Sequence, residues 1–372
     1  MRRSIDDLPE YRSRVRGCLL GGALGDALGA PVEFESLGGI RRRYGPAGVT
    51  EPVPDWRGNV GLITDDTQMT LFTVEGLIRG EDATAVRRAY LRWLDTQQHA
   101  SPPPADDVIR TGRLREQRWL YSRRAPGNAC LSGLRHGQAA APAPFGEPGP
   151  ANPDSKGCGT VMRSAPFGLR APSPRHAFEL AAQCAQITHG HPTGYLAAGA
   201  FAAVVHFLME DGVPEEDEVA EKDEPLARAV RKATDLLETY PRHEETGRAL
   251  RAAVSLAAEG GPSPEKVESL GGAWIAEEAL AIAVYCALVN PEPGDIRQAL
   301  LLAVNHSGDS DSTGAVCGNL LGALHGETAL PGDWLVHLEG RDAITELADD
   351  FAAQSAGGHE ATGDWLTKYP GD

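Results

Sequence analysis

Four glycines, Gly17, Gly21, Gly25 and Gly29, recur at four-residue intervals in the first helical stretch of the chain. On an α-helix that spacing lines them up as a single stripe. Each helical glycine costs about 1 kcal/mol relative to alanine, so a row of four calls for a compensating contact. The stripe predicts that another backbone lies close against this helix along its length. It is not a dinucleotide-binding fingerprint, because the G-x-G-x-x-G spacing and a leading strand are both missing.

Apolar residues at helical spacing continue through the chain, and strand-like alternation is scarce. The periodicity predicts helices over 11–29, 67–79, 84–95, 127–136, 175–188, 192–209, 224–238, 244–258, 273–289, 295–304, 312–325 and 342–351. Pro192 and Pro241 mark starts or stops. The connections 30–61, 101–107, 141–157, 261–264 and 329–332 are rich in Pro and Gly and read as loops. An all-α fold follows, with functional loops at its surface. No shift in composition divides the 372 residues into two cores, so a single domain over 1–372 is expected.

A net charge of −17 and a pI near 5.1 argue against broad nucleic-acid binding, which needs a basic footprint. Arg110, Arg113, Arg115, Arg118, Arg123 and Arg124, and the run Arg41–Arg43, read first as solvated faces. Their alternative is a local attraction for phosphate. The acidic stretch 215–224 reads as a solvated loop or helix lead-in. Cys18, Cys130, Cys158, Cys184, Cys286 and Cys317 include no C-x-x-C pair. They read as reduced, small hydrophobes of a cytoplasmic protein. The acids Asp6, Asp7, Glu10 and Asp26 around the apolar stretch 18–31 argue against a secretory leader. The apolar run 195–209 is short for a bilayer span and carries His206, so a core helix and no membrane association are expected.

Two acidic clusters carry the chemistry: Thr64-Asp65-Asp66 and Asp309-Ser310-Asp311-Ser312, each at a predicted helix start. Neighbouring carboxylates repel unless a cation neutralises them. Hard oxygen donors, with no Cys or His pair beside them in sequence, suit Mg²⁺, Mn²⁺ or Ca²⁺ better than Zn²⁺. Helix capping is the competing reading. At Thr64-Asp65-Asp66 it accounts for one carboxylate and does not require two adjacent acids with a hydroxyl; at the second cluster an N-cap turn stays open beside metal binding. The D-x-D opening of the second cluster imitates an EF-hand, but Leu320 stands where that loop needs Glu, which excludes it. Glu33 follows the striped helix directly. The run from Gly157 to Arg163 offers consecutive backbone N–H groups suited to a phosphate or ribose. His189 and His191 flank a helix junction without a third His or a Cys to make a zinc site.

Taken together, these blocks resemble the ADP-ribosylglycohydrolase family, which includes the dinitrogenase-reductase-activating glycohydrolases. The matching segments are 17–34, Ile63-Thr-Asp-Asp-Thr-Gln-Met69, Gly157-Cys-Gly-Thr-Val-Met-Arg163, Thr188-His189 and Gly308-Asp-Ser-Asp-Ser-Thr-Gly314. They occur in family order between residue 17 and about residue 325. The resemblance implies an all-α fold with a binuclear centre of Mg²⁺ or Mn²⁺ at the base of a cleft. Thr64, Asp65, Asp66, Asp309, Asp311 and Ser312 would be the metal ligands. Glu33, Asp65 and Asp309 are candidates for general acid or base. Asp26, Gly157, Cys158, Gly159 and His189 would support the site or contact substrate.

The implied reaction is hydrolysis at the ribose anomeric carbon of ADP-ribose. The acceptor would be a protein side chain such as arginine or serine, a nucleobase or a small molecule. Such cleavage passes through an oxocarbenium-like state and needs an activated water and a proton donor. A metal pair can hold the ribose hydroxyls and acidify a water. A monomer is the default expectation. The segment 102–127 does not match the family pattern, so any further acid from it is unassigned. A non-catalytic ADP-ribose binder is one competing reading. Another all-α Mg²⁺ enzyme, such as a terpenoid synthase, is a second. It would need a third acid after Asp65-Asp66, an N-D-x-x-S-x-x-x-E segment and an aromatic cleft, whereas this chain is 6% aromatic.

Overall fold

In the computed structural model, the glycine stripe meets its partner near the other end of the chain. The structure describes residues 8–55, 57–106, 108–136, 140–210, 224–355 and 363–371. Seventeen α-helices are found there: α1 (Leu8–Gly29), α2 (Leu37–Tyr44), α3 (Asp65–Arg79), α4 (Ala83–Gln98), α5 (Asn128–His136), α6 (Ala165–Arg170), α7 (Pro174–Ala185), α8 (Pro192–Glu210), α9 (Pro225–Leu237), α10 (Glu244–Ala258), α11 (Pro264–Glu268), α12 (Ala276–Leu288), α13 (Ile296–Val304), α14 (Ser310–His325), α15 (Gly332–Leu335), α16 (Arg341–Ser355) and α17 (Gly363–Lys368). No strand occurs among the described residues, only one isolated antiparallel bridge between Gly157 and Ile275. The helices enclose one continuous hydrophobic core.

Helices α1 and α14 run antiparallel in direct backbone contact. A Cβ on Gly17, Gly21, Gly25 or Gly29 would fall within 3.0 Å of the carbonyl oxygen of Gly322, Gly318, Gly314 or Ser310 in turn. The converse also holds, since Gly314, Gly318 and Gly322 face the carbonyls of Gly25, Gly21 and Gly17. Two glycine rows of equal spacing therefore interlock. Gly22 leaves room for the Asn319 side chain, whose Nδ2 donates to the Cys18 carbonyl at 2.7 Å, linking residues 301 apart. Buried Arg14 clamps the same pair, donating from Nε to the Ala323 carbonyl (2.7 Å) and from Nη2 to the Leu208 carbonyl of α8. This packing carries the end of α1, with Glu33 just beyond it, to the start of α14.

Helix α8 is long and apolar enough to cross a membrane by length and composition alone, with mean hydropathy 1.4. It is instead buried inside the protein, enclosed by α6, α7, α9 and α12. All six cysteines are free, and five are buried; Cys158 is partly exposed. The segment 30–61 is not simply a loop. It holds a 3₁₀ turn, Ala30–Val32, and then α2, whose Ser36 cap accepts from Gly39 N at 3.1 Å. Helices α6, α11, α15 and α17 are further additions to the expected set, each too short for periodicity to register.

Several of the arginines are engaged with the protein's own groups. Arg110 bonds Asp95 (2.9 Å), Arg113 pairs with Asp364 (3.3 Å), and Arg124 is held by Glu339 and the Ile63 carbonyl. Arg41 pairs with Glu265 (2.6 Å) and Arg43 with Glu35 (2.8 Å). The phosphate-attracting reading draws no support from these contacts. Residues 211–223, which include most of the acidic stretch, lie outside the described residues.

Candidate metal centre

The start of α3 is held from below by Asp26. This carboxylate is wholly buried and accepts from the backbone N–H of Thr64 (3.0 and 3.1 Å) and Thr67 (3.1 Å) and from the Thr67 hydroxyl. Asp26 is therefore a support beneath the site and not the substrate contact the resemblance left open. The Thr64 hydroxyl caps α3, accepting from Asp66 N at 3.3 Å. Capping thus takes the hydroxyl and leaves both acids free for other work. Asp65 Oδ2 accepts from Gly127 N–H at 3.2 Å, the point at which the unmatched segment 102–127 reaches the site. Asp66 Oδ2 is buried and accepts no hydrogen bond. At the start of α14, Asp309 occupies the cap position without making a capping bond, and Asp311 Oδ1 accepts from Ser312 N at 3.0 Å.

The two clusters converge. Carboxylate oxygens of Glu33, Asp309 and Asp311 lie within 4.8 Å of one another. Asp65 and Asp66 stand close enough that, after burial, Asp311 is the largest influence on each. Every acid here is pushed up. Burial first, then Asp311, raises Asp26 from 3.8 to about 7. Burial, Asp311 and Asp309 raise Glu33 to about 11. Asp309 rises for the same two leading reasons, burial and Asp311. The hydroxyls of Thr64 and Ser312 pull the other way, on Asp311 and Asp309 respectively. A partnerless carboxylate oxygen amid buried, mutually repelling acids is costly unless a cation is bound. The donor set is rich in hard oxygens and fits a divalent ion of the Mg²⁺ or Mn²⁺ kind.

The sign of the pH effect follows. A carboxyl whose folded pKa exceeds its unfolded value stabilises the fold when protonated, and that contribution fades as pH rises through the folded value. The cation-free protein is expected to lose thermal stability between about pH 4 and pH 7 through Asp26, and further toward pH 11 through Glu33. Mn²⁺ at a hundredfold over its Kd should add about 2.7 kcal/mol, or roughly 3–4 °C in Tm for a chain of this size. The increment should be larger at the higher pH. Melting curves that ignore Mn²⁺ at both pH values would remove the case for a cation.

Beside the acids lies the turn Cys158–Thr160, preceded by Gly157. Its backbone is anchored, since Cys158 N–H donates to the Trp274 carbonyl (3.2 Å) and Ala276 N–H to the Lys156 carbonyl (2.8 Å). The Cys158 N–H is thus not available to a phosphate, contrary to the expectation of consecutive free donors. His189 is buried under this turn, its ring against Gly157 and Gly159, where a Cβ would meet Nε2 at 3.2 and 3.3 Å. Nδ1 of His189 shares a hydrogen bond with the Thr188 hydroxyl (2.8 Å), which accepts from Arg163 Nη2 (2.6 Å). Burial, then the Arg163 charge, lowers His189 to about 3, so the imidazole is neutral. His191 instead accepts from Thr193 N at 3.2 Å, capping α8.

Three features were not expected from the sequence. Arg163, stacked 4.5 Å over Tyr90, orients Thr188 and through it His189. Phe34 and Trp274 stack at 5.7 Å and both stand exposed next to the site. The Cys158 thiol, in the turn read only for its backbone, donates to Asp309 Oδ2 at 2.7 Å. Folding has put a Cys among acids that have none near them in sequence.

Comparison with known proteins agrees with this arrangement. ADP-ribosyl-[dinitrogen reductase] glycohydrolase of Rhodospirillum rubrum is 27% identical, over 89% of this chain and 92% of that protein. ADP-ribosylhydrolase ARH3 of Mus musculus is 27% identical, over 91% of each. A solved structure described as an ADP-ribosylglycohydrolase-related protein complex superposes with a TM-score of 0.64 at 26% identity, covering 93% of this chain and 99% of its own. The ADP-ribosylglycohydrolase family model matches residues 7–361, nearly the whole chain, and with all five motifs in order and the acids gathered at one centre, the chain belongs to the ADP-ribosylglycohydrolase family.

Proposed function

We propose that the protein is a divalent-cation-dependent ADP-ribosyl glycohydrolase that releases ADP-ribose from a modified acceptor. The observation that carries this reading is the meeting of Glu33, Asp65, Asp66, Asp309 and Asp311, drawn from opposite ends of the chain, beside the Cys158–Thr160 turn and His189. Thr64, Asp65, Asp66, Asp309, Asp311 and Ser312 would hold two ions, Mg²⁺ or Mn²⁺. Bound there, the ions would neutralise the buried charge and act as Lewis acids toward the vicinal ribose hydroxyls.

The protein's own groups supply the rest. Glu33 follows a 3₁₀ turn outside the helix ladders and, at 7% exposure, is the least covered of the acids. Its carboxyl is the one best placed to exchange a proton with substrate. Without cations it keeps its proton to about pH 11. Positive charge nearby would bring that value down toward neutrality, where general acid–base exchange is most effective. Asp65 is fixed by Gly127 N–H and Asp309 by the Cys158 thiol. Either could serve as the complementary base. Neutral His189, locked by Thr188, presents a fixed wall under the turn and adds no competing charge. The acceptor is an ADP-ribosylated protein side chain, nucleobase or small molecule.

The test is a panel of defined linkages, ADP-ribose on arginine, on serine, on a nucleobase and as an acetyl ester, each incubated with and without chelator. Release of free ADP-ribose from at least one, abolished by chelator and restored by Mg²⁺ or Mn²⁺, is the expected result. ADP-ribose binding with no release from any member would identify a binder and end the enzymatic reading.

A further inference from the structure

We propose that Cys158 is a soft-donor ligand of the acidic centre, giving it a binding mode for thiophilic divalent cations of the Cd²⁺ and Zn²⁺ class. The inference rests on the metal-centre reading above and adds a ligand of different chemistry to it. Three observations carry it. The thiol lies 2.7 Å from Asp309 Oδ2. The Asp66 charge and the Ser312 hydroxyl also act on it. The buried Asp66 Oδ2 accepts no hydrogen bond, and the charges of Asp311, Asp65 and Asp309 act on its carboxylate. The backbone of Cys158 is pinned to Trp274, so the sulfur is held in place by the turn. It is also the one cysteine of the six that solvent reaches.

In the present geometry the thiol proton occupies a lone pair of Asp309. A cation that forms a strong bond to sulfur can take that position. The S–H bond breaks, an S–metal bond forms, and the proton leaves to water. Mg²⁺ gains little from sulfur, whereas Cd²⁺ and Zn²⁺ gain much. The oxygens would then serve both classes of ion and the thiol only one. Thiophilic ions should compete with the working cation.

The experiment uses the full chain after chelation and buffer exchange. Cd²⁺ is titrated while the ultraviolet thiolate-to-cadmium charge-transfer band is recorded, and Mn²⁺ binding is followed separately by electron paramagnetic resonance. The wild-type protein is expected to show the band and to release bound Mn²⁺ as Cd²⁺ is added. Cys158→Ser, which keeps a hydrogen-bond donor toward Asp309, should still bind Mn²⁺, lose the band and need about tenfold more Cd²⁺ to release Mn²⁺. Mn²⁺ binding by the wild type without the band, or a band unchanged in Cys158→Ser, would overturn the thiol as a ligand while leaving the centre intact. No Mn²⁺ binding by either protein would overturn the centre itself, and the thiol's role with it.

Discussion

Asp311→Asn is expected to abolish divalent-cation binding and to cut turnover sharply while making the cation-free protein melt at a higher temperature. Asp311 is the charge that each of the surrounding acids feels: it raises Asp26, Glu33, Asp65, Asp66 and Asp309 alike. Asparagine keeps the shape and removes that charge. In the cation-free molecule the neighbours are relieved of repulsion, a gain of about 1–2 kcal/mol, of the size seen when a site's strain is removed at the expense of activity. The loss in turnover should reach about a thousandfold, the upper range for removing one preorganised electrostatic group. Two measurements decide it: melting curves in chelator, and a Mn²⁺ titration of the same preparation. A variant that binds Mn²⁺ normally and melts as wild type would mean that the acids do not act as one cluster.

The second large effect is expected from Gly25→Ala. Alanine is the better helix former by about 1 kcal/mol, so propensity alone predicts a more stable protein. The new Cβ, however, would lie inside contact distance of the Gly314 carbonyl, and 2.9 Å from the nitrogen of Ala315. Both are backbone atoms, which no rotamer change can move aside. The helices must separate, and overpacking of this sort costs about 1–3 kcal/mol or more before the loss of neighbouring contacts is counted. The clash wins. A fall in Tm of several degrees is expected, together with weaker Mn²⁺ binding, because Asp26 and Glu33 ride on one side of the contact and Asp309 and Asp311 on the other. Gly294→Ala, at a glycine with open space around it, serves as the control and should be near neutral. Equal melting of the Gly25 and Gly294 variants would mean that α1 and α14 are not in close contact.

The long helices were legible because their apolar spacing repeats over several turns, as in α3, α8 and α12. Helices of one or two turns, such as α2 and α6, carry too few repeats to stand out, and Gly38-Gly39 further blurs α2. At the site, the acid clusters were legible, most plainly at Asp65-Asp66, where capping does not require two carboxylates side by side. Their convergence was announced only through the resemblance. The residues did hold the clue, since Gly314, Gly318 and Gly322 repeat the spacing of Gly17, Gly21 and Gly25, but that run reads at first only as a buried helix. For Asp26 the sequence left support and substrate contact open, because nothing local says that its carboxylate turns inward to the start of α3. The Cys158 thiol was invisible for a plainer reason: its partner Asp309 is 151 residues away.

The interlocking of α1 with α14 also sets an order of events during synthesis. The first helix leaves the ribosome with its glycine groove uncovered and waits for nearly the whole polypeptide before its mate appears. Contacts of such long range form late and slowly. The acids therefore acquire their neighbours late in folding, and a cation of the proposed kind would meet a finished protein, not a growing one. A nascent chain halted before Asp309 would hold three of the six proposed ligands, Thr64, Asp65 and Asp66, and could not close them around an ion.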